Sequence, residues 1–534
     1  MSYEYLCSLY YGEGSNADLT DRAARDRVHV ATPLDDFVVA ALRSNRDVVL
    51  TGNPGDGKSH LARRLLDRGD LGEALFISDL SERDTRDTER EWRAARSEGR
   101  RVLLCGNEGP LRELIGTLDA NDEIGRELRA QIGRLVCDDP AKLPSEPRSV
   151  VLVDLADRNT LSRQVIREVL RKVSSNDYMP AVPGAAETAA GRNLLMLQSD
   201  EVRENLARIL SLAGGMTGEH VTFRELWAAI AYSISAAKAP STLKVEQSGI
   251  EDGSWDAPLD NLMSSRGRGR LIEAVRRYAD PAATPWPELD EDLWSNGRPR
   301  GGEMLIDEDL NGEPPEQLWR RGKRVEAIAR QRWLKRLVAV AHSLGARLIE
   351  RMEAAAPLPS ALDDAGLQSM VCLGLRRLYL VSREEAAAPP WLSAGVPLWV
   401  SISYEENDPA DRPHVAVTAL PEKDFALRRP RRPPWLGDAL GPLPEVAWLH
   451  HEESNASLRV EPSLLGALRS AASSTGPSPL PERVHRFLDR VAGWSESQRP
   501  SEDGERFAIV DRPRGRVLAA GVVSAVQEGG ASYG

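Results

Sequence analysis

The chain has little cysteine: four residues among 534, Cys7, Cys105, Cys137 and Cys372, lie far apart in the sequence. No two of them make a C-x-x-C pair, which argues against a cysteine zinc site and against a disulfide framework. The first residues, Met1-Ser2-Tyr3-Glu4, lack the charged lead and the apolar run of a signal peptide. Both observations favour a reducing, cytoplasmic setting.

Long hydrophobic runs and an excess of positive charge are missing as well. The most apolar stretch, at 337–341, soon meets His342 and Arg347 and is far shorter than a membrane span, so no membrane contact is expected. The net charge of −12 argues against a general nucleic-acid coat. Any contact with DNA or RNA would therefore need a local basic patch. The length predicts roughly two to four domains.

The chain does contain a phosphate-binding loop motif. Eight consecutive residues fit G-x-x-x-x-G-K-[ST], namely Gly52-Asn53-Pro54-Gly55-Asp56-Gly57-Lys58-Ser59. A short apolar strand at 47–50 precedes them, and a helical stretch with an apolar face begins at His60. Strand, glycine-rich loop and helix, in this order, form the arrangement that holds a nucleotide.

Each residue type in the motif has a physical role. The glycines let the main chain approach a phosphate, whose oxygens the loop N–H groups would bind. Lys58 is expected to reach the β- and γ-phosphates, and the Ser59 hydroxyl to complete the Mg²⁺ shell. The predicted nucleotide-binding stretch is Gly52 to His60, and the predicted cofactors are ATP and Mg²⁺. ATP is favoured over GTP because the chain has no guanine-reading Asn-Lys-x-Asp motif.

Apolar runs separated by helical or polar segments predict an α/β fold with a parallel sheet. The predicted strands are Val48–Leu50, Ala74–Ile77, Val102–Cys105 and Val150–Val153, with a fifth candidate at Leu194–Leu197. The nucleotide core is predicted to span 47–199, after a lead-in at 1–46.

Beyond the core we predict a helical lid over 200–240, a linker region over 241–315 and a mixed α+β C-terminal region over 316–534. Thr222 is the predicted N-cap of a lid helix, with Glu225 as its capping-box partner. One strong helix is predicted over 316–356, and a strand at Leu378–Val381.

An enzyme with this loop also needs an acid at the end of a neighbouring strand, to hold Mg²⁺ and polarise the attacking water. Asp154 ends the strand at 150–153 and is by chemistry the better metal ligand. Glu108 follows the third strand in chain order and is slightly favoured as the water-activating base. Lys58, Glu108 and Asp154 are the predicted catalytic residues, and Ser59 and Asp154 the predicted metal ligands. The alternative for either acid is a strand-end or helix-capping role.

Four segments in this order resemble AAA+-like ATPases of bacterial anti-phage defence islands, in particular the ATPase of phosphorothioation-dependent DNA restriction systems. The segments are Gly52–His60, Cys105–Gly109, Val153–Arg158 and Thr222–Leu226, and the likeness covers roughly residues 35–240. The resemblance implies an AAA+-like P-loop NTPase with a helical lid, a homo-oligomer that works with other defence proteins on foreign DNA. It also implies that Arg158 acts on a neighbouring subunit's γ-phosphate and that Arg203 and Arg224 are lid arginines of the sensor-2 type. The alternative for each of the three arginines is a surface salt bridge.

Two basic clusters are the predicted DNA contacts. The first, near 320–336, contains Arg320, Arg321, Lys323, Arg324, Arg330, Arg332, Lys335 and Arg336, with Trp319 and Trp333 among them. The second lies at 428–432. Arginine with tryptophan can bind a phosphate backbone and stack on bases. The alternative is a solvated helix face whose arginines pair with acids.

The sequence leads to one main functional hypothesis and two alternatives. The main one is an ATP-hydrolysing motor or switch of the AAA+ type. The first alternative is a STAND-type regulatory nucleotide switch that turns over slowly and signals by oligomerisation. The second is a small-molecule kinase, which the large C-terminal region and the lid disfavour.

Overall fold

The computed structural model describes residues 3–12, 22–119, 122–136, 146–175, 188–237, 256–306, 310, 312–380, 387–399, 414–473, 480–498, 505–511 and 516–523. The chain forms two compact units. The first comprises 1–355 and 431–444, and the second comprises 356–430 and 445–534. Cys137 lies outside the described residues.

The strands are β1 Asp47–Thr51, β2 Leu75–Ile77, β3 Val102–Cys105, β4 Val150–Asp154, β5 Gly395–Trp399, β6 His414–Pro421, β7 Phe425–Arg428, β8 Ala447–His451, β9 Ala456–Val460, β10 Glu505–Asp511 and β11 Arg516–Val523. The helices are α1 Tyr3–Tyr11, α2 Arg22–Val28, α3 Pro33–Arg43, α4 Lys58–Asp67, α5 Thr85–Ser97, α6 Glu108–Thr117, α7 Glu123–Val136, α8 Arg163–Val173, α9 Ala189–Met196, α10 Asp200–Thr217, α11 Phe223–Ser235, α12 Pro258–Met263, α13 Arg270–Tyr278, α14 Pro287–Asn296, α15 Pro315–Arg320, α16 Arg324–Ala341, α17 Gly345–Ala355, α18 Asp364–Arg376, α19 Pro390–Ser393, α20 Pro462–Ser473 and α21 Glu482–Gln498.

The first unit is built on a four-stranded parallel sheet in the order β2-β3-β1-β4. Near-continuous apolar runs form these strands because helices cover both faces of the sheet. The α/β class and the four predicted strands are thus confirmed. The fifth candidate, Leu194–Leu197, is wrong: its first three residues close helix α9, whose N-cap Thr188 accepts a hydrogen bond from Gly191 N. The helix buries Leu194 and Met196, which explains why the run is apolar. Over only four residues such a run cannot be distinguished from a buried strand.

The central strand begins with a fully buried aspartate that ties four elements together. One carboxylate oxygen of Asp47 accepts from Trp92 Nε1 at 2.7 Å and from Arg96 Nη1 at 2.8 Å, both on α5. The other oxygen accepts from Val102 N of β3 at 3.0 Å, and Asp47 N donates to Ser149 O, just before β4, at 2.8 Å. A buried carboxylate with this many donors fixes where the neighbouring strands begin.

Helices after the sheet complete the first unit. Thr222 caps α11 and forms the predicted capping box with Glu225, which is confirmed. The single helix predicted over 316–356 is wrong, because three helices, α15, α16 and α17, occupy that stretch. Gly322, with a φ of 83°, ends the first, and His342 leaves the helix to form a β-bridge with Met304.

The second unit contains an antiparallel sheet in the order β11-β10-β6-β5 and another in the order β7-β8-β9. Its core is formed largely by leucine and valine from these strands and from α18, α20 and α21. The predicted strand at Leu378–Val381 is wrong for its described residues, because 378–380 follow α18 as a turn. Val381 lies outside the described residues. Among the helices that the structure describes, none is long and apolar enough to cross a membrane.

Replacing Asp47 with alanine is expected to lower the free energy of unfolding by about 3–5 kcal/mol. The change leaves Arg96 without its buried carboxylate partner and leaves the N–H groups of Trp92 and Val102 without a hydrogen-bond acceptor. Urea unfolding followed by circular dichroism measures the loss. The matched control is Glu91→Ala on α5: Glu91 is half-exposed and pairs with Arg83, so its loss should cost at most about 1 kcal/mol. Equal costs for the two variants would contradict the role of Asp47.

Candidate functional site

The motif at 52–59 forms a loop between β1 and α4. Its glycines have left-handed φ values of 129° at Gly52, 100° at Gly55 and 87° at Gly57, which is the N-cap of α4. Only glycine adopts such angles without strain. The free N–H groups at the start of α4, together with the helix dipole, make this end of the helix attractive to an anion.

Two neighbouring segments pack so closely on the loop that a side chain at Gly52 or Gly55 would crowd them. A Cβ at Gly52 would lie 3.1 Å from Ala156 N and 3.2 Å from Leu155 Cβ, both in the turn after β4. A Cβ at Gly55 would lie 3.1 Å from Arg224 Cβ at the start of α11. Glycine is therefore required here by packing as well as by backbone angle.

Side chains of the motif hold the loop in shape. Lys58 is buried, and its Nζ donates to the carbonyls of Gly52 and Asn53, each at 2.9 Å. Burial lowers the pKa of Lys58, although nearby Asp56, Asp79 and Asp154 act in the opposite direction. The Ser59 hydroxyl donates to Ser78 O at 3.0 Å, and that carbonyl follows β2.

Asp56 links the loop to the segment before α11. One of its carboxylate oxygens accepts from Asn53 N at 2.6 Å, and the other lies 2.6 Å from His220 Nε2. Asp56 is only 1% exposed. Arg224 N also donates to Gly55 O at 3.2 Å, so the predicted lid and the loop share backbone and side-chain hydrogen bonds.

A cleft of about 390 Å³ opens over the loop. It is lined by motif residues Pro54 to His60, by residues from the ends of β2 and β3, and by residues of α11. Leu9, Val28, Val30 and Trp227 give part of the lining an apolar surface. The predicted nucleotide-binding residues from Pro54 to His60 thus face one cavity.

His60, the last predicted binding residue, is mostly buried. Its ring stacks on His29, with ring centroids 5.4 Å apart, and His29 Nε2 lies 2.8 Å from Asp35 Oδ1. Burial, followed by the charges of His29 and Arg64, lowers the pKa of His60 to about 4. The ring is therefore neutral at physiological pH and adds no positive charge to the cleft.

The two predicted acids lie in different environments. Asp154 ends β4 beside β1, and its carboxylate accepts from Ala156 N at 2.9 Å. Burial, with smaller contributions from Asp157 and Asp56, raises the pKa of Asp154 to about 6. Glu108 is the first residue of α6, half-exposed and paired with Arg112, and it does not line the cleft. Its neighbour Asn107 does line the cleft. The catalytic role of Glu108 stays a prediction.

Sequence reasoning missed a third acid, Asp79. It follows β2 directly, lines the cleft and lies next to Ser78, whose carbonyl the Ser59 hydroxyl contacts. The signal was present, since Asp79 comes just after a predicted strand, as Asp154 comes at the end of one. The acid itself was missed because β2 is not adjacent to β1 in the sheet, and strand order cannot be read from the local sequence.

Of the three arginines predicted to act on the nucleotide, two lie at the cleft. Arg158 and Arg224 line it. Arg203 instead donates to the carbonyls of Leu197 and Gln198 and pairs with Asp200, and it does not line the cleft. Arg158 is buried and donates to Thr32 Oγ1 at 2.6 Å, so it does not form the surface salt bridge that was the alternative.

The first basic cluster is not a single exposed surface. Lys335 and Arg336 are turned inward: Lys335 pairs with Asp290, and Arg336 lies 2.8 Å from both Asp260 and Asp280. The exposed members Arg320, Arg321 and Lys323 each pair with a glutamate nearby in the chain. In the second cluster, Arg428 pairs with Glu452 and Arg429 with Asp364. DNA binding by either cluster stays a prediction.

Comparison of the chain with family models, with curated proteins and with solved structures found no match. The likeness to AAA+-like defence ATPases therefore stays a prediction.

Asp154→Asn is expected to raise the free energy of unfolding by about 3 kcal/mol at pH 7.5. Because the folded-state pKa lies near 6 and the ordinary pKa of aspartate is 3.8, the ionised carboxylate destabilises the fold above pH 6. That destabilisation falls to about 0.5 kcal/mol at pH 4 and vanishes below pH 3.8, where the unfolded chain also binds the proton. Urea unfolding at pH 7.5 and pH 4 measures the gain and its loss.

The control for this variant is Glu108→Gln, which removes an exposed acid from a helix start. It should lower the free energy of unfolding by at most about 1 kcal/mol. The prediction is wrong if Asp154→Asn is less stable than the original chain at pH 7.5. It is also wrong if the variant gains the same free energy of unfolding at both pH values.

Proposed function

We propose that this chain binds and hydrolyses ATP. The observation that carries the proposal is the loop at 52–59: its three glycines have left-handed φ values, and its residues from Pro54 to Ser59, with Lys58 at the start of α4, line one cleft. Backbone N–H groups at a helix start, a helix dipole and a lysine together favour a polyphosphate over other anions. The apolar part of the lining, including Leu9 and Trp227, suits a purine base.

The described residues fit Mg²⁺ bound together with the nucleotide. No group of three or more His, Cys, Asp or Glu side chains able to hold a metal occurs among them. Mg²⁺ in nucleotide sites needs only one or two protein ligands, because phosphates and water supply the rest. The Ser59 hydroxyl and the Asp79 carboxylate offer such oxygens, with Asp154 as a further acid whose charge acts on Lys58. When bound, the ion would neutralise charge on the phosphate oxygens.

The protein groups would then divide the chemistry between them. Lys58 would exchange its bonds to the Gly52 and Asn53 carbonyls for phosphate oxygens. Asp154, with its pKa near 6, is matched to accept a proton from the attacking water at neutral pH. The packing of the loop against its neighbours would limit backbone reorganisation when phosphates bind, which favours the charged transition state.

We extend the proposal to a motor or switch of the AAA+ type that acts with partner proteins in a DNA-restriction or phage-defence complex. This extension rests on the sequence resemblance. The hydrogen bonds between the loop and the start of α11 add support, since they give nucleotide binding a direct effect on a helix. A STAND-type switch would use the same site with slow turnover.

Lys58→Ala is expected to weaken ATP binding by about 10- to 100-fold, because a charge-assisted contact to the phosphates is lost. Calorimetry with magnesium present measures the affinity. ATP turnover, measured with single-stranded, double-stranded and no DNA, separates a motor from a slow switch. The control is Lys323→Ala, an exposed lysine paired with Glu326. Absence of ATP uptake by the folded original chain would refute the proposed function.

The acids can be separated by three single variants. Asp79→Asn and Asp154→Asn are each expected to lower turnover at least about tenfold, because Asp79 lines the cleft and the charge of Asp154 acts on Lys58. Glu108→Gln should lower turnover less than about threefold, because Glu108 is half-exposed and pairs with Arg112. For Asp79→Asn, the gain in nucleotide affinity on replacing EDTA with Mg²⁺ should also shrink. If Glu108→Gln alone abolishes turnover, Glu108 is the base and the preference for the other two acids is wrong.

A further inference from the structure

Arg158 carries a buried positive charge for which the described residues supply no ion-pair partner. The residue is 8% exposed, and its Nη2 donates to Thr32 Oγ1. Its guanidinium carbon lies 4.6 Å from the centroid of the Phe223 ring. Within the described residues, no carboxylate forms an ion pair with it. A guanidinium has five N–H donors, and a buried cation without a counter-charge is costly.

The two carboxylates whose charges act on Arg158 are both engaged elsewhere. Asp35 faces His29 and Arg64 and accepts from Thr32 N. Asp56 accepts from Asn53 N and contacts His220. Burial lowers the pKa of Arg158 to about 10, so the group is still charged at neutral pH. The remaining place for a partner is the cleft that Arg158 lines.

The fold brings Arg158 to the phosphate loop by two routes. The turn that carries it packs on the loop through Leu155 and Ala156, which contact the Gly52 position. Phe223, beneath its guanidinium, is followed by Arg224, whose N–H binds Gly55 O. Arg158 and Lys58 are therefore two buried cations of a single cleft, contributed by the same chain.

We propose that Arg158 binds a phosphate group of the nucleotide held by its own chain. This inference rests on the proposed function. It differs from the expectation that Arg158 reaches the site of a neighbouring subunit. A guanidinium that is only 8% exposed and lies against Thr32, Phe223 and the cleft of its own chain has little surface to offer to another. The contact supplies the counter-charge that Arg158 lacks, and it adds a second cation where charge develops during phosphoryl transfer.

The first test is nucleotide binding by Arg158→Ala, with Arg158→Lys as the charge-retaining variant. Calorimetry with a non-hydrolysable ATP analogue and Mg²⁺ should show affinity about 10- to 100-fold weaker for the alanine variant and a smaller loss for lysine. The matched control is Arg163→Ala, an exposed arginine on α8 that pairs with Glu353, and its affinity should be unchanged. Thermal unfolding of each nucleotide-free variant reports any separate loss of stability.

The second test distinguishes the chain's own site from that of a neighbour. Lys58→Ala and Arg158→Ala are mixed, and ATP turnover is compared with the sum of the two separate activities. If Arg158 serves its own chain, every subunit in the mixture lacks one cation and turnover stays at the sum. If it serves a neighbour, mixed assemblies regain turnover above the sum.

Three results would overturn the inference. Restored turnover in the mixture would assign Arg158 to a neighbour's site. An alanine variant that melts at lower temperature but binds the analogue as tightly as the original chain would make Arg158 purely structural. If the original chain binds no nucleotide, the proposed function and this inference are both wrong. If the original chain and Arg158→Ala bind nucleotide equally well, only this inference is wrong.

Discussion

The site depends on one steric constraint: the loop at 52–59 is enclosed on two sides, at positions whose left-handed φ values favour glycine. The turn after β4 contacts Gly52, and the start of α11 contacts Gly55. Because these contacts restrain the backbone of the loop, its shape is set before any ligand arrives. This preorganisation is what gives a backbone anion site its strength, since water bound to a flexible loop would compete on equal terms.

Charge in the cleft is arranged around the same constraint. Lys58 and Arg158 are buried cations, Asp56 is a buried acid, and Asp154 is a partly buried acid whose charge acts on Lys58. Asp56 accepts hydrogen bonds from within the first unit and so fixes the shape of the loop. The ionised form of Asp154 is disfavoured by burial. Arg158 has no carboxylate partner among the described residues. Groups whose charge is costly in the free protein are those most suited to interact with a charged ligand.

Local sequence signals predicted the parts of the fold that local physics determines. The glycine spacing predicted the loop, apolar runs predicted β1 to β4, and Thr222 with Glu225 predicted the start of α11. Each depends on residues only a few positions apart. The errors came from distant partners: the break at His342 involves a bridge to Met304, and the inward turn of Lys335 and Arg336 depends on acids 45 to 76 residues away. The role of Asp79 needed the strand order, which the sequence does not encode locally.

The hydrogen bond from Arg224 N to the Gly55 carbonyl has a mechanical consequence. It joins the first turn of α11 to the middle of the loop, so rotation of that peptide unit would pull on the end of a helix that also packs on α1, α12 and α13. Together with the contact between Asp56 and His220, this bond couples the loop to the first turn of α11. A displacement of the loop would therefore act first on the start of that helix.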